Sequence, residues 1–372
     1  MLVSNRESEF SKVLNAGDVL VVAFGAMIGW GWVVSSGQWI TSGGVLGTVL
    51  GFIIGGIMIY FVGLCYAELT TAMPKCGGEH VFSYKAFGSI GAYICTWSII
   101  LSYIGVVCYE AVSFPTILQY VFPKIARGYL YSVGGFDIYF TWLLIAIGMA
   151  LLILFLNIIG MKKAARFQKI LTCVIAAVGI ALVAGAAYSG NVNNLQNQLL
   201  VGDTNGKIIQ NIAKVAIMTP FFLFGFDVIP QAAEEINVPL KKLGKMMILS
   251  IIMAVSFYVL VVLAVGYVMN AEQIKTSMLS ATGLVTADAM GIAFNTANMA
   301  KVLIIGGLCG IVTSWNSFLI GGSRALYSMS VSYMLPRKFA VLHKKYNTPV
   351  NSLLLIGALS VISPFFGRSM LV

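Results

Sequence analysis

Long apolar stretches separated by short polar turns fill the chain. Windows of roughly twenty apolar residues, enough to cross a bilayer core as a helix, recur near 20–40, 46–68, 87–121, 138–159, 168–189, 209–231, 246–269, 299–328 and 350–366. The pattern predicts an all-α integral membrane protein with nine spans. Two of these spans are interrupted from within. Gly29-Trp30-Gly31 lies midway along the first, and Phe224-Gly225-Phe226 with Asp227, flanked by Pro220 and Pro230, lies in the sixth. A break frees backbone donors and acceptors that lipid cannot satisfy, so it survives only where it lines a cavity. The two breaks are therefore the predicted substrate site.

Matching breaks in the first and sixth spans predict two inverted five-helix repeats, the second without its last helix. On this reading 1–16 is a cytoplasmic tail, 17–189 the first repeat, 190–207 an external loop and 208–372 the incomplete second repeat. The chain reads as truncated after about nine transmembrane helices, because Ser363-Pro364-Phe365-Phe366-Gly367-Arg368-Ser369 and Val372 lack a polar tail. Gly43, Gly47, Gly51 and Gly55 put a smooth stripe on one face of the second span, against which another helix should pack. Pro74-Lys75-Cys76-Gly77-Gly78-Glu79-His80 forms a polar turn that ends one helix and starts the next, a candidate gate of the inner mouth. The connection from Asn270 to Asn298 is moderately apolar and suits short helices over the outer mouth.

Composition agrees with a membrane solvent: 59% of the residues are apolar and 10% charged, with a mean hydropathy of +0.92. With the N-terminus placed in the cytoplasm, sixteen of the 23 Lys and Arg fall in the loops on that side, as the positive-inside rule requires. The expected location is the plasma membrane, multi-pass. Arg6, Glu7, Glu9 and Lys12 make the start polar, unlike a secretory signal. The net charge of +10 is spread over several loops of one face, which argues against nucleic acid as a partner. The six cysteines sit mostly in apolar segments without metal-ligand spacing and read as small core residues; no metal site is implied.

Several separate motifs resemble the amino acid-polyamine-organocation (APC) transporters, over essentially the whole chain. Gly25-Ala26-Met27-Ile28-Gly29-Trp30-Gly31-Trp32 is similar to that family's GxxIGxGIF segment, and Tyr66-Ala67-Glu68-Leu69 with Pro74, Gly77, Gly78 and Glu79 to its YAEL turn. Phe221-Phe222-Leu223-Phe224-Gly225-Phe226-Asp227 with Glu234-Glu235 resembles its sixth-helix segment. Asn316, Gly322-Ser323-Arg324-Ala325-Leu326-Tyr327, Leu335-Pro336 and Thr348-Pro349 resemble the end of its eighth. The resemblance implies the APC-type inverted-repeat fold and transport of an amino acid zwitterion held between the broken helices. It also shows a departure, because Trp30 stands where the family has a small residue.

On the dipole argument, the amides of Gly29, Trp30 and Gly31 should take a substrate carboxylate, and the carbonyl end at Phe221, Phe222 and Phe224 beside Gly225 an ammonium. Ala26, Met27 and Ile28 complete the predicted site, with Phe224 its best gate. The Trp30 indole either points away or narrows the pocket. Ionisable residues are scarce in the spans, so each is a candidate. Glu110 would protonate, bind an amine or make a structural bond, while Asp18 and Asp227 suit capping. A sodium ion would find oxygens from Gly25, Ile28, Thr313 and Ser314, which makes Gly25, Thr313, Ser314 and Glu110 the coupling candidates. Glu68, Glu234, Glu235 and Arg324 are the gate candidates, or a solvated rim.

No phosphate-binding loop is present to hydrolyse ATP, and no cofactor is expected; a proton or sodium gradient is the energy source left open. A channel would need a continuous polar lining, and an enzyme a catalytic cluster. His80 and His343 fall in predicted loops. The expectation is a secondary transporter working by alternating access on an amino acid or related amine. An exchanger of small organic cations and a non-transporting sensor are the alternatives. Oligomeric state is not legible.

Overall fold

The computed structural model describes residues 10–280 and 282–367; Arg6, Glu7 and Glu9 of the tail and the chain end from Arg368 lie outside the described residues. The protein is mostly helical. Helix α1 (Ala16–Met27) starts at a capping box in which the Asn15 side chain accepts from the Asp18 amide and Asp18 accepts from the Asn15 amide. Asp18 is thus a cap. The helix stops at Ile28, a single turn α2 (Gly31–Val34) follows, and α3 (Ser36–Ala72) runs on from it. The expected first span therefore divides, and the turn into the second lies at Gly44. That residue adopts φ 77°, and a Cβ there would stand 2.5 Å from the Leu199 carbonyl oxygen, so only glycine fits.

Helix α4 (Glu79–Val121) is redirected at Gly88 and ends in a two-stranded antiparallel hairpin, β1 (Tyr129–Val133) and β2 (Phe136–Tyr139). The hairpin corrects the all-α expectation. Its signal was local: aromatic and β-branched residues on both sides of Gly134-Gly135, a pair suited to the tight turn. Then come α5 (Phe140–Ile158), α6 (Met161–Ser189), α7 (Asn205–Phe222), the turn α8 (Val228–Gln231) and α9 (Leu240–Val268). The connection from Asn270 folds into α10 (Ala271–Met278) and α11 (Val285–Ala293), the short helices its composition suggested. Finally α12 (Ala297–Val331) and α13 (Val350–Ile362) complete the described chain.

Among the described residues six helices (α3, α4, α5, α6, α9 and α12) are long and apolar enough to cross a membrane, and α1 and the Val350–Phe366 segment are shorter apolar helices. The most apolar window of α12 is 89% buried, against 28–44% for the other five, so α12 is the central helix and the rest surround it. It packs against α4, α6, α11, α1 and α13. The glycine stripe of α3 receives α7: Cβ atoms on Gly51 and Gly55 would strike Val215 and Thr219. Large apolar side chains on the outside, among them Phe61, Phe87, Ile90, Ile170 and Ile217, suit contact with lipid tails. Cys65 and Cys173 share this exposed surface, which corrects the reading of all cysteines as core.

Candidate functional site

The two chain breaks lie against one another. A Cβ on Gly225 would stand 2.7 Å from the Ala26 Cβ and 2.8 Å from its carbonyl carbon, and Gly225 itself adopts φ 132°. Central helix α12 closes on the same point, since a Cβ on Gly310 would lie 2.5 Å from the Gly29 carbonyl oxygen and 2.9 Å from that of Ile28. Glycine at these positions lets three backbones converge. Around them Ala26, Met27 and Ile28 are buried, while Gly29 and Gly31 are half-buried.

Backbone hydrogen bonds run out at the breaks. The Ile28 amide still reaches Phe24, but the amides of Gly29, Trp30 and Gly31 find no partner among the described residues. The carbonyls of Phe221, Phe222, Leu223 and Phe224 likewise accept no backbone amide. Buried main-chain groups are otherwise paired almost without exception, so these free groups set the two breaks apart from the rest of the bundle. Asp227 caps the second break, accepting from the Gly225 amide at 3.0 Å and from the hydroxyl of Tyr103 on α4. The Met27 carbonyl accepts from Tyr258 at 2.9 Å.

The three candidate phenylalanines separate. Phe221 is 79% exposed on the outside of α7 and does not join the site, because its neighbour Phe222 takes the inward direction of that turn. Phe222 packs against Gly31 and edge-on to Trp39, and Phe224 stacks on Phe318 of α12 at 5.3 Å beside Tyr103. The Trp30 ring turns toward α12, where Gly307 makes room: a Cβ there would lie 2.5 Å from the ring's Cε3. It fills the small-residue position by docking sideways.

Glu110 on α4 is buried, and its Oε1 lies 2.5 Å from the hydroxyl of Ser314 on α12. Both oxygens are 3.6 Å from where a Cβ on Gly29 would stand. Thr313, by contrast, donates back to Gly310 at 2.9 Å, the ordinary helical use of its hydroxyl. Gly25 faces the Gln168 amide nitrogen, which donates to the Thr313 carbonyl at 3.0 Å and to Ser317 at 2.9 Å. A donor thus occupies the corner where a sodium ion would need acceptors. The amides of Asn157, Asn316 and Gln168 chain together across α5, α12 and α6. Gln168, Tyr103 and Tyr258 were passed over in the sequence, where a polar group inside an apolar window was their only signal.

At the far end of the bundle the gate candidates also separate. Arg324 is fully buried and grips Glu235 with Nε at 2.8 Å and Nη2 at 3.3 Å. This is a buried ion pair, where a solvated rim was the alternative. Glu234 is half-buried next to it in the chain, and Glu68 is exposed on α3. His80 corrects its loop assignment: it lies in the first turn of α4, fully buried between Thr96 and Ser332 at 2.9 and 2.8 Å. Glu79 beside it accepts from Gln231 of α8, and the Gly77 amide donates to the Gln231 carbonyl at 3.1 Å. The polar turn is thereby fastened to the segment that follows the second break.

Helices interrupted side by side within an apolar bundle, with unpaired backbone groups at both breaks, are the arrangement of a membrane transporter. The chain belongs to the amino acid permease family, which it matches over residues 18–368. It is similar to the branched-chain amino acid permease BcaP of Bacillus subtilis, 26% identical over 96% of this chain and 75% of that one. The methylthioribose transporter of the same organism is 23% identical over 95% and 74%. Cationic amino acid transporter 1 of Arabidopsis thaliana is 24% identical over 97% and 59%. These relatives are transporters and not enzymes.

Proposed function

We propose that the protein is a secondary transporter that carries an amino acid or related amine across the plasma membrane by alternating access. The meeting of the two breaks at Ala26 and Gly225 carries this reading. The substrate carboxylate binds the amides of Gly29, Trp30 and Gly31, with Ala26, Met27 and Ile28 as the wall. Its ammonium takes the carbonyls at Phe222 and Phe224, and the Phe224 ring covers it. Nine crossings belong to two inverted repeats, 17–189 and 208–372, with the tail 1–16 cytoplasmic and 190–207 external. Arg324 with Glu235 then lies on the cytoplasmic side. Glu110 is the coupling residue, favoured over a sodium site at Gly25, Thr313 and Ser314 by the Gln168 donor in that corner.

Branched-chain and cationic amino acids in the names of relatives set the first panel. Radiolabelled amino acids and amines would be offered to proteoliposomes, with proton and sodium gradients imposed separately. Uptake of one class on one gradient is the expected result. Counterflow without dependence on either gradient would indicate an exchanger, and no uptake of any compound would leave the sensor reading.

A further inference from the structure

We propose that Glu110 binds substrate as a neutral acid, so that one proton is a co-ligand of the substrate carboxylate at the first break. This rests on the reading of that break as a carboxylate site. The short contact of Glu110 with Ser314 and its unpartnered second oxygen lead to it. The Ser314 hydroxyl lies 2.5 Å from Glu110 Oε1 and 3.0 Å from the Ile311 carbonyl oxygen, yet it has one hydrogen to give. The Ile311 carbonyl already accepts an amide within its own helix, so the Ser314 hydrogen is free to turn to either oxygen. If Glu110 carries a proton, its O–H donates to Ser314 and Ser314 donates to Ile311, and every short contact is a bond. The other oxygen, Oε2, is buried without a partner, a state a neutral carboxyl tolerates far better than a carboxylate.

Among the described residues, nothing nearby supplies a compensating charge. Of the elements packed on α4, helices α5 and α13 and the turn Ser363–Phe366 contain no titratable side chain. The turn after α4 has Lys124, about 20 Å along the axis from Glu110, and on α12 Lys301 is about 20 Å from Ser314. Arg324 is about 15 Å away and engaged by Glu235. Cys309 on α12 and Cys108, Tyr109 and Tyr103 on α4 are the remaining titratable neighbours, and Tyr103 is bonded to Asp227. The break itself offers backbone and the Tyr258 hydroxyl, which donates to the Met27 carbonyl.

The same geometry places the acid where the substrate's own carboxylate arrives. Glu110 Oε1 and Ser314 Oγ are each 3.6 Å from the Cβ position of Gly29, whose amide is one of the free donors. Two carboxylates side by side in a dry site cannot both stay ionised, and they share one proton instead. Binding therefore retains the proton on Glu110, or takes one up where Glu110 has lost it. The sign follows: affinity is full at low pH and falls as pH rises through the titration of Glu110, by up to about tenfold per pH unit.

The test uses the full chain in nanodiscs and the amino acid from the uptake panel that binds most tightly, together with the amine that lacks its carboxylate. Calorimetry in two buffers of different ionisation enthalpy counts protons taken up by the unmodified protein, which needs no variant to fold. The expected result is net uptake approaching one proton at high pH, affinity that declines with pH, and no binding of the amine alone. Glu110→Gln should still bind but with a flat pH profile, and Glu110→Asp should restore the slope. Binding that is independent of pH in the unmodified protein overturns the inference and leaves the carboxylate site standing. Proton release, or tight binding of the bare amine that strengthens with pH, overturns it in favour of an ammonium held by Glu110. Should no amino acid bind at any pH, the carboxylate reading fails first and takes the inference with it.

Discussion

Arg324 on the central helix and Glu235, just past the second break, form a two-point ion pair with no access to solvent: Nε and Nη2 bond the two carboxylate oxygens while Nη1 reaches Ser323 at 2.9 Å. The guanidinium fork matches the carboxylate geometrically, which a lysine cannot reproduce. The pair therefore joins the segment after α8 to α12 directly, and that segment also pairs with the N-terminal stretch through Leu14 and Ile236.

Removing one partner leaves the other charge buried alone. Arg324→Ala should destabilise the protein by about 3–5 kcal/mol, and Arg324→Lys by a substantial part of that. The double variant with Glu235→Ala should recover some of the loss, since no charge is then stranded. Thermal unfolding of the purified protein in detergent reads all three. Equal stability of Arg324→Ala and the unmodified protein would mean the pair contributes nothing.

Gly225 is constrained twice, by a backbone only glycine adopts easily and by contact with Ala26. Gly225→Ala should therefore push the two breaks apart and abolish uptake, with a loss of stability of about 1–3 kcal/mol from backbone strain. Gly148→Ala on α5 is the control. Nothing lies within 4 Å of that Cβ position, so the change should leave uptake unaltered and stabilise the helix slightly. Comparable uptake by both variants would show that the breaks need not touch.

How much of this was legible in the sequence depends on the kind of signal. Apolar windows and internal Gly and Pro are local patterns, so the helical class and the two interruptions could be read directly, whereas the nine expected spans stand against six helices long and apolar enough to cross a membrane among the described residues. Direction was not legible: Phe221, Phe222 and Phe224 are alike in sequence, and only the phase of α7 and its packing on α3 decide which turns inward. Partners were equally hidden. Glu110 and Ser314 are 204 positions apart, and Gln168 reaches Gly25 and Thr313 only after three helices have packed. The burial of His80 depends on Ser332 at the end of α12, which no local pattern around the turn announces.

The separation of the phenylalanines makes its own prediction. Phe221→Ala removes a ring that faces lipid and should leave uptake within twofold or so of the unmodified protein, as exposed substitutions usually do. Phe222→Ala opens space among Gly31, Trp39, Phe52 and Tyr258 and, the ring being half-buried, should cost about 1–3 kcal/mol. Uptake assays alongside unfolding measurements distinguish the two. A dead Phe221→Ala transporter of normal stability would return that ring to the site.

Trp30 and Gly307 fit as a pair, the large residue on the break matched by the absent side chain on α12. Gly307→Ala must therefore displace the indole, and the side chain's easiest path is toward the free amides next to it, so substrate affinity should fall several-fold before stability does. Trp30→Ala works the other way. It leaves a cavity beside the break, destabilises the protein by about 3–5 kcal/mol, and enlarges the space next to the carboxylate site. Competition of uptake by a series of amino acids of increasing side-chain size reads the outcome. The expected shift is toward larger side chains, with the double variant Trp30→Ala, Gly307→Leu moving back toward the original order because the added leucine refills the same space. An unchanged order in Trp30→Ala would mean that the indole sets no limit on the substrate and serves only to pack α12 against the break.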